Sequence, residues 1–230
     1  RLAFIVSAGN MDSMVNHYTS FKKRRHQDAY TPGGGFSGRP NRPTIVYSNL
    51  IRKTYKKTPI LLGGIEASLR RMAHYDYWSD QVRKSILVDS GADLLVYGMS
   101  EKQIVEVANA LNDGFEPKYI RHINGTCYVA DTKEEIYDDY VEIPSYKEIC
   151  ESKEAYAKAF KIQYDEQDPY RGKAIIQKHG DKYLVQNKPE TPLNREELDA
   201  VYVLPYAKDY HPIYKSMGGI PAIEEVKFGI

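Results

Sequence analysis

A pair of glycines, Gly63-Gly64, follows the short apolar run Ile60-Leu61-Leu62 and leads into Glu66, Ser68, Arg70 and Arg71. Glycine lets backbone come close to a ligand, Glu66 and Ser68 offer hydrogen-bonding groups, and either arginine could meet an anion. The string is neither a dinucleotide fingerprint nor a P-loop, because no Gly-Lys-Ser/Thr follows. A tight structural turn with solvated arginines is the competing reading. Two further apolar runs end the same way. Leu2–Val6 stops at Ser7-Ala8-Gly9-Asn10, and Ala92–Tyr97 stops at Gly98.

His74-Tyr75-Asp76-Tyr77-Trp78 holds the only tryptophan. In an extended segment His74 and Asp76 point the same way, so they could form an acid/base pair or supply two metal ligands. A metal needs three or more ligands, and the neighbourhood suggests no third. An aromatic loop anchored by side-chain hydrogen bonds accounts for the same residues. Cys127 and Cys150 are too few for a disulfide scaffold or a thiolate cluster and read as inert buried thiols. There is no serine nucleophile elbow and no His-Glu-x-x-His, so hydrolytic chemistry has no support.

The net charge of +1 conceals a split: residues 1–89 carry 15 Lys+Arg against 6 Asp+Glu, and the rest carries 17 against 25. The surplus is densest at Lys22-Lys23-Arg24-Arg25-His26, with Arg39 and Arg42 in a Pro/Gly-rich loop after it. Basic residues interleaved with tyrosine suit RNA or single-stranded nucleic acid, whereas a solvated face or two mutually neutralising halves are the plainer explanations.

These groups need elements to position them. At 230 residues, 42% hydrophobic and 27% charged, the chain is globular rather than disordered, with no run long enough for a membrane span. A reducing, cytoplasmic setting is the default for so little cysteine. Apolar runs at Leu2–Val6, Ile60–Leu62 and Ala92–Tyr97 alternate with helical patterns after Asp12, after Thr44, around Gln81–Val88 and from Ser100 to Leu111. Along the Thr44 helix Val46, Leu50 and Thr54 form a stripe, and Ser100 with Gln103 makes a capping box. This is the βαβ signature of a parallel sheet covered on both faces, whose ligands sit beyond the carboxyl ends of the strands. After Gly114 the grammar changes. Tyr119–Val129 around Asn124-Gly125 and Ala174–Gln186 around Gly180-Asp181 read as hairpins. Ser145/Glu148 and Asn194/Glu197 read as capping boxes, with a break near Ser152, and the last thirty residues read as extended. The chain opens on Arg1 inside one strand-like run and closes in another, Val226–Ile230, which suggests an excised piece.

Ile65-Glu66-Ala67-Ser68-Leu69-Arg70-Arg71, His74–Asp80, Arg83–Leu87 and Ala92–Gly98 together resemble the YgiQ-like family of radical SAM proteins. Ser7–Tyr18, Tyr30–Gly34, Leu204-Pro205-Tyr206, His211-Pro212 and Gly219–Ala222 match as well, so the resemblance spans essentially all of the chain. It implies an α/β fold: a Rossmann-like, mostly parallel sheet similar to cobalamin-binding domains, with helices on both faces and a smaller α+β extension with hairpins. The division would be 1–114 for the Rossmann-like domain, incomplete at its N-terminus, and 115–230 for the extension. The extension would lead into a downstream radical SAM barrel in cis. In the family that barrel carries Cys-x-x-x-Cys-x-x-Cys for a [4Fe–4S] cluster that cleaves S-adenosylmethionine, one iron being left open for it. Cys127 and Cys150 do not match that spacing, so no cluster, metal or catalytic residue is expected in this piece. Cobalamin is unsupported, because the nearest approach to Asp-x-His-x-x-Gly, Asp209-Tyr210-His211, has tyrosine at 214. The implied role is to place a ligand or an unknown substrate against the barrel. Ser7, Gly9, Asn10, Gly63, Gly64, Glu66, Ser68 and Gly98 would line the ligand site, and Arg70, Arg71, His74 and Asp76 would serve substrate or structure. A nucleic-acid- or partner-binding module and a non-binding scaffold are the alternatives.

Overall fold

Short apolar runs need partners for their backbone groups and here find them by pairing; Ile60–Leu62 and Leu94–Val96 are buried throughout, whereas Ile5 of the first run is 63% exposed. The structure, a computed structural model, describes residues 1–36 and 38–226. Its elements begin with β1 (Phe4–Val6), α1 (Ser13–His17), α2 (Pro43–Thr54), β2 (Ile60–Leu62), α3 (Gly64–Leu69), β3 (His74–Asp76) and β4 (Gln81–Arg83). They continue with α4 (Ile86–Ser90), β5 (Leu94–Val96), α5 (Glu101–Asn112), β6 (Thr126–Ala130), β7 (Tyr140–Ile143), α6 (Tyr146–Glu151) and α7 (Lys153–Asp165). The last are β8 (Ala174–His179), β9 (Lys182–Gln186), α8 (Arg195–Tyr202) and α9 (Pro221–Val226). The chain forms two compact units, Arg1–Asn10 with Thr44–Pro192, and Met11–Pro43 with the stretch from Leu193 on.

The first unit is built on a seven-stranded sheet in the order β1-β2-β5-β6-β9-β8-β7. The three glycine-ended segments run parallel, with Phe4 opposite Ile60 and Leu61 opposite Leu94. Antiparallel pairing then takes over from β5 through β6 and β9 to β8, and β7 lies parallel to β8. The sheet is therefore mixed. Alternate side chains feed two cores. Leu62, Leu95, Cys127 and Leu184 meet Ala67, Ile86, Leu87, Ile149 and Ala159 from α3, α4, α6 and α7. Leu61, Leu94, Tyr128 and Val185 meet Val107 and Leu111 of α5. Helices thus cover both faces. The change of grammar at Gly114 falls inside this unit, where β5 and β6 pair across it. No helix among the described residues is long and apolar enough to cross a membrane.

Several local expectations need correction. Gln81–Val88 is not one helix: Gln81–Arg83 pairs antiparallel with β3 as a separate two-stranded sheet, and Ser85 then caps α4 by accepting from the Leu87 amide. Asn124-Gly125 turns the chain, but β6 finds its partners in β5 and β9 rather than in a local hairpin. The second hairpin, β8–β9, forms. Both later capping boxes form, and Ser152 caps α7 where α6 ends. Ser100 makes no such box, because its hydroxyl donates to the Gly98 carbonyl and Gln103 is buried. On α2 the inward side is Thr44 and Ser48, with Ile45, Tyr47 and Ile51 beside them, while Leu50 is 56% exposed. Burying Ser48 is tolerable because its hydroxyl donates to the Thr44 carbonyl at 2.8 Å.

In the second unit Asp12 caps α1, accepting from the Met14 and Val15 amides at 3.0 and 3.1 Å. The Pro/Gly-rich loop is held rather than loose: Pro32–Gly34 forms a 3-10 turn, and buried Asp28 accepts from the Arg39 guanidinium at 3.0 Å. The final stretch is not extended, since Pro212–Met217 is a 3-10 helix and α9 follows it. Residues 227–230 of the strand-like terminal run lie outside the described residues, and Val226 ends α9.

Candidate ligand site at the strand ends

The carboxyl ends of β1, β2 and β5 share one rim because the three strands are parallel neighbours. At that rim Gly64 is needed for close approach. Gly64 has φ +81, and a Cβ there would run into Ser7 Oγ and lie 3.7 Å from the Gly9 carbonyl oxygen. Ser7 Oγ in turn accepts from the Gly9 amide at 3.1 Å, and the Gly63 amide donates to the Val6 carbonyl at 3.0 Å. Across the rim, Ser68 Oγ accepts from the Gly98 amide at 3.3 Å. Each serine therefore fixes a glycine turn through its lone pairs and keeps a hydroxyl hydrogen to donate. Ser7, Gly9, Asn10, Gly64 and Gly98 are exposed, Ser68 is half-buried and Gly63 is buried.

Glu66 is fully buried instead of facing the rim. Its carboxylate accepts from the Thr44 amide at 3.3 Å, in the first turn of α2, where the helix leaves backbone donors without partners. Arg71 is also turned inward. It donates to Gln186 Oε1 at 2.7 Å and to the Ser68 carbonyl at 2.6 Å, with its guanidinium 4.9 Å from the centre of the Tyr97 ring. Arg71 thus braces the carbonyl of the residue whose hydroxyl holds Gly98.

Arg70, His74 and Asp76 gather by the β3–β4 hairpin. Burial lowers the Arg70 guanidinium from its ordinary value, with Asp76 opposing and Arg83 adding to the effect. His74 sits opposite Arg83 and places Nδ1 3.1 Å from the Met72 carbonyl. Burial above all drives the His74 pKa down to about 4, so the ring is neutral near pH 7 and Nδ1 carries the proton donated to that carbonyl. Asp76 is buried and accepts from the Ser79 amide and hydroxyl. Tyr75 donates to Asp80, and the Tyr77 and Trp78 rings meet edge to face at 5.3 Å. These bonds make the His74–Trp78 segment an anchored aromatic loop. No group of three His, Cys, Asp or Glu among the described residues could hold a metal.

One cavity has no counterpart in the sequence reading. Tyr75 and Val82 of the hairpin face Ile149, Cys150, Lys153 and Tyr156 across a groove of about 930 Å³. The Tyr75 amide donates to the Tyr156 hydroxyl at 3.1 Å over its wall. Eighty-one positions separate those two residues, and no local pattern could have joined them. Cys150 is exposed here, which corrects its reading as a buried thiol, whereas Cys127 is buried as expected.

A family model described as radical SAM N-terminal matches residues 1–229. The chain belongs to that family. It is 66% identical over 230 residues to a UPF0313 protein of Clostridium perfringens and 56% identical over 232 residues to one of Clostridium botulinum. Each match covers 100% of this chain but only 35% and 36% of the relative, so the chain spans about a third of their length. No solved structure matches.

The groups that radical SAM membership implies do not fit the residues of this piece. A cluster needs three thiolates on its irons. The chain offers one thiol buried in β6 and one exposed on α6. The nearest approach to a histidine-ligated cobalamin motif, His211, has its Nδ1 accepting from the Ile213 amide at 3.2 Å to cap a 3-10 turn.

Proposed function

We propose that this chain is the N-terminal region of a radical SAM iron–sulfur protein and that it places a ligand or substrate against the rest of the polypeptide. Its sheet is of the Rossmann-like kind at β1, β2 and β5, and the ligand site is the rim where those strands end. In the whole protein, a [4Fe–4S] cluster with S-adenosylmethionine supplies the radical chemistry. The residues described here bind and orient, and none is catalytic.

The observation that carries this reading is the make-up of the rim. Exposed glycine backbone at Gly9, Gly64 and Gly98 adjoins exposed apolar side chains, Ile65 at 46%, Leu69 at 62% and Met99 at 60%. Backbone polar groups beside uncovered apolar surface suit a ligand with both kinds of contact. Ser7 and Ser68 would hold the glycine turns and donate their remaining hydroxyl hydrogens to it. Arg71 would act through Ser68, and Arg70, His74 and Asp76 would stiffen the flanking hairpin.

The test uses the full-length protein and S-adenosylmethionine cleavage stimulated by a small-molecule cell extract. Ser68→Ala and Gly64→Ala should abolish the stimulation while leaving unstimulated cleavage in place. Stimulation equal to wild type in Ser68→Ala would remove the rim assignment. Support for a nucleic-acid module is thinner: Arg24 lies over the Phe36 ring at 4.3 Å and Arg39 is paired with Asp28, which leaves fewer uncommitted cations. A steep fall of RNA affinity with salt would revive that reading.

A further inference from the structure

α8 is an eight-residue helix with no buried residue. An isolated helix shorter than about 12–15 residues is marginal in water, and helices of this size are held by burying an apolar side. Its own supports are a capping box, Asn194 with Glu197, and an exposed Arg195–Asp199 pair at 3.8 Å. Leu198 and Tyr202 lie one turn apart on one side, 36% and 70% exposed. The chain leaves the helix through Val203, Leu204 and Tyr206, which are 80%, 49% and 57% exposed, and no residue from Asn194 to Gly218 is buried. Exposed apolar side chains so closely spaced along so short a support suit an interface better than a solvent face.

We propose that the Leu198–Tyr206 surface is a docking face covered by another part of the same polypeptide, from the length that the relatives possess outside these residues. The inference rests on the reading that the chain is one region of a longer protein. About two thirds of the relatives' length lies outside the match, and in those proteins it is covalently joined to the matching region. Tethering gives such a segment an effective concentration in the millimolar range, far above that of a second copy at ordinary protein levels. Tyrosines such as Tyr202 and Tyr206 are among the side chains that anchor such contacts.

Hydrogen–deuterium exchange of the full-length protein tests this. Peptides covering 195–206 should exchange on the order of a hundredfold slower than an unstructured chain, because opening would require undocking. The variant L198D/Y202D should return them to unstructured rates while peptides covering β8 and β9 keep their protection. If β8 and β9 also lose protection, Tyr206→Ser replaces the double variant, with the same loss confined to 195–206. Unstructured rates at 195–206 in the wild-type full-length protein would overturn the proposal. So would protection that grows with protein concentration, which would assign the face to a second copy. The readout is independent of the rim: Ser68→Ala should leave exchange at 195–206 unchanged whatever it does to activity.

Discussion

The Gly33 amide donates to the Gly219 carbonyl at 2.8 Å, joining the glycine triplet Gly33–Gly35 to the pair Gly218-Gly219 far along the chain. Gly33 has φ +65, and a Cβ on it would lie 2.8 Å from the Met217 carbonyl oxygen; one on Gly218 would lie 3.0 Å from Gly33 Cα. Backbone meets backbone here with no room for a side chain. Gly33→Ala should therefore cost about 1–3 kcal/mol, from the left-handed backbone and the close contact together. A thermal melt that monitors the unit of Met11–Pro43 and the stretch from Leu193 on, for instance through exchange of its amides, checks this. An unchanged midpoint would mean that the two segments are not held against each other.

Glu66 yields a prediction that separates structure from ligand binding. Its buried carboxylate accepts from the Thr44 amide, and removing it leaves an unsatisfied donor in the core. Glu66→Ala should destabilise by about 2–4 kcal/mol, while Glu66→Gln, which keeps an acceptor of the same shape, should cost no more than about 1–2 kcal/mol. Chemical denaturation distinguishes them. Equal stability of wild type and the alanine variant would show that Glu66 is turned toward solvent.

How much of this was legible follows from how local each signal is. The three glycine-ended strands could be read because an apolar run ending in glycine carries its own boundary, and their parallel order follows from the intervening helical patterns. Glu66 could not be read, because a six-residue helix gives too little periodicity to tell an inward carboxylate from an outward one. Gln81–Arg83 looks helical only until β3 is known to lie beside it, and Asn124-Gly125 looks like a hairpin only until β5 and β9 are placed on either side of β6. The Tyr75–Tyr156 groove joins elements far apart in sequence. The missed features share one cause: their partners are remote.

Stability should fall in mild acid because two histidines, buried His179 and half-buried His74, are neutral in the fold. Burial, aided by Lys84 and opposed by Asp89, drives the His179 pKa down to about 4, and His74 is held at about 4 as well. Both folded values lie below the unfolded value of 6.5. The unfolded chain therefore takes up protons first as the pH drops. Stability is complete above pH ~6.5, erodes between there and pH ~4, and at pH 5 has lost about 2 kcal/mol per histidine. His179→Phe keeps a ring against Tyr146, on which His179 stacks at 5.5 Å, but cannot titrate. Denaturation at pH 7.5 and pH 5 should show a difference in wild type that shrinks by about half in the variant. A wild-type difference of zero would mean that both rings are solvated.

The two cysteines should differ sharply in reactivity, and the difference reports on the groove. Cys127 is fully buried in β6, and burial pushes its thiol up to about 12, so almost no thiolate exists near neutral pH. Cys150 is exposed on the wall that faces Tyr75 and Val82. Iodoacetamide with peptide mapping should label Cys150 on the order of a hundredfold faster than Cys127 in the native protein, and the two should converge in denaturant. Narrowing the groove with Val82→Trp should slow Cys150 labelling without touching Cys127, since the new ring would stand over the thiol. Labelling of Cys150 that ignores this substitution would show that its thiol opens to solvent away from the groove.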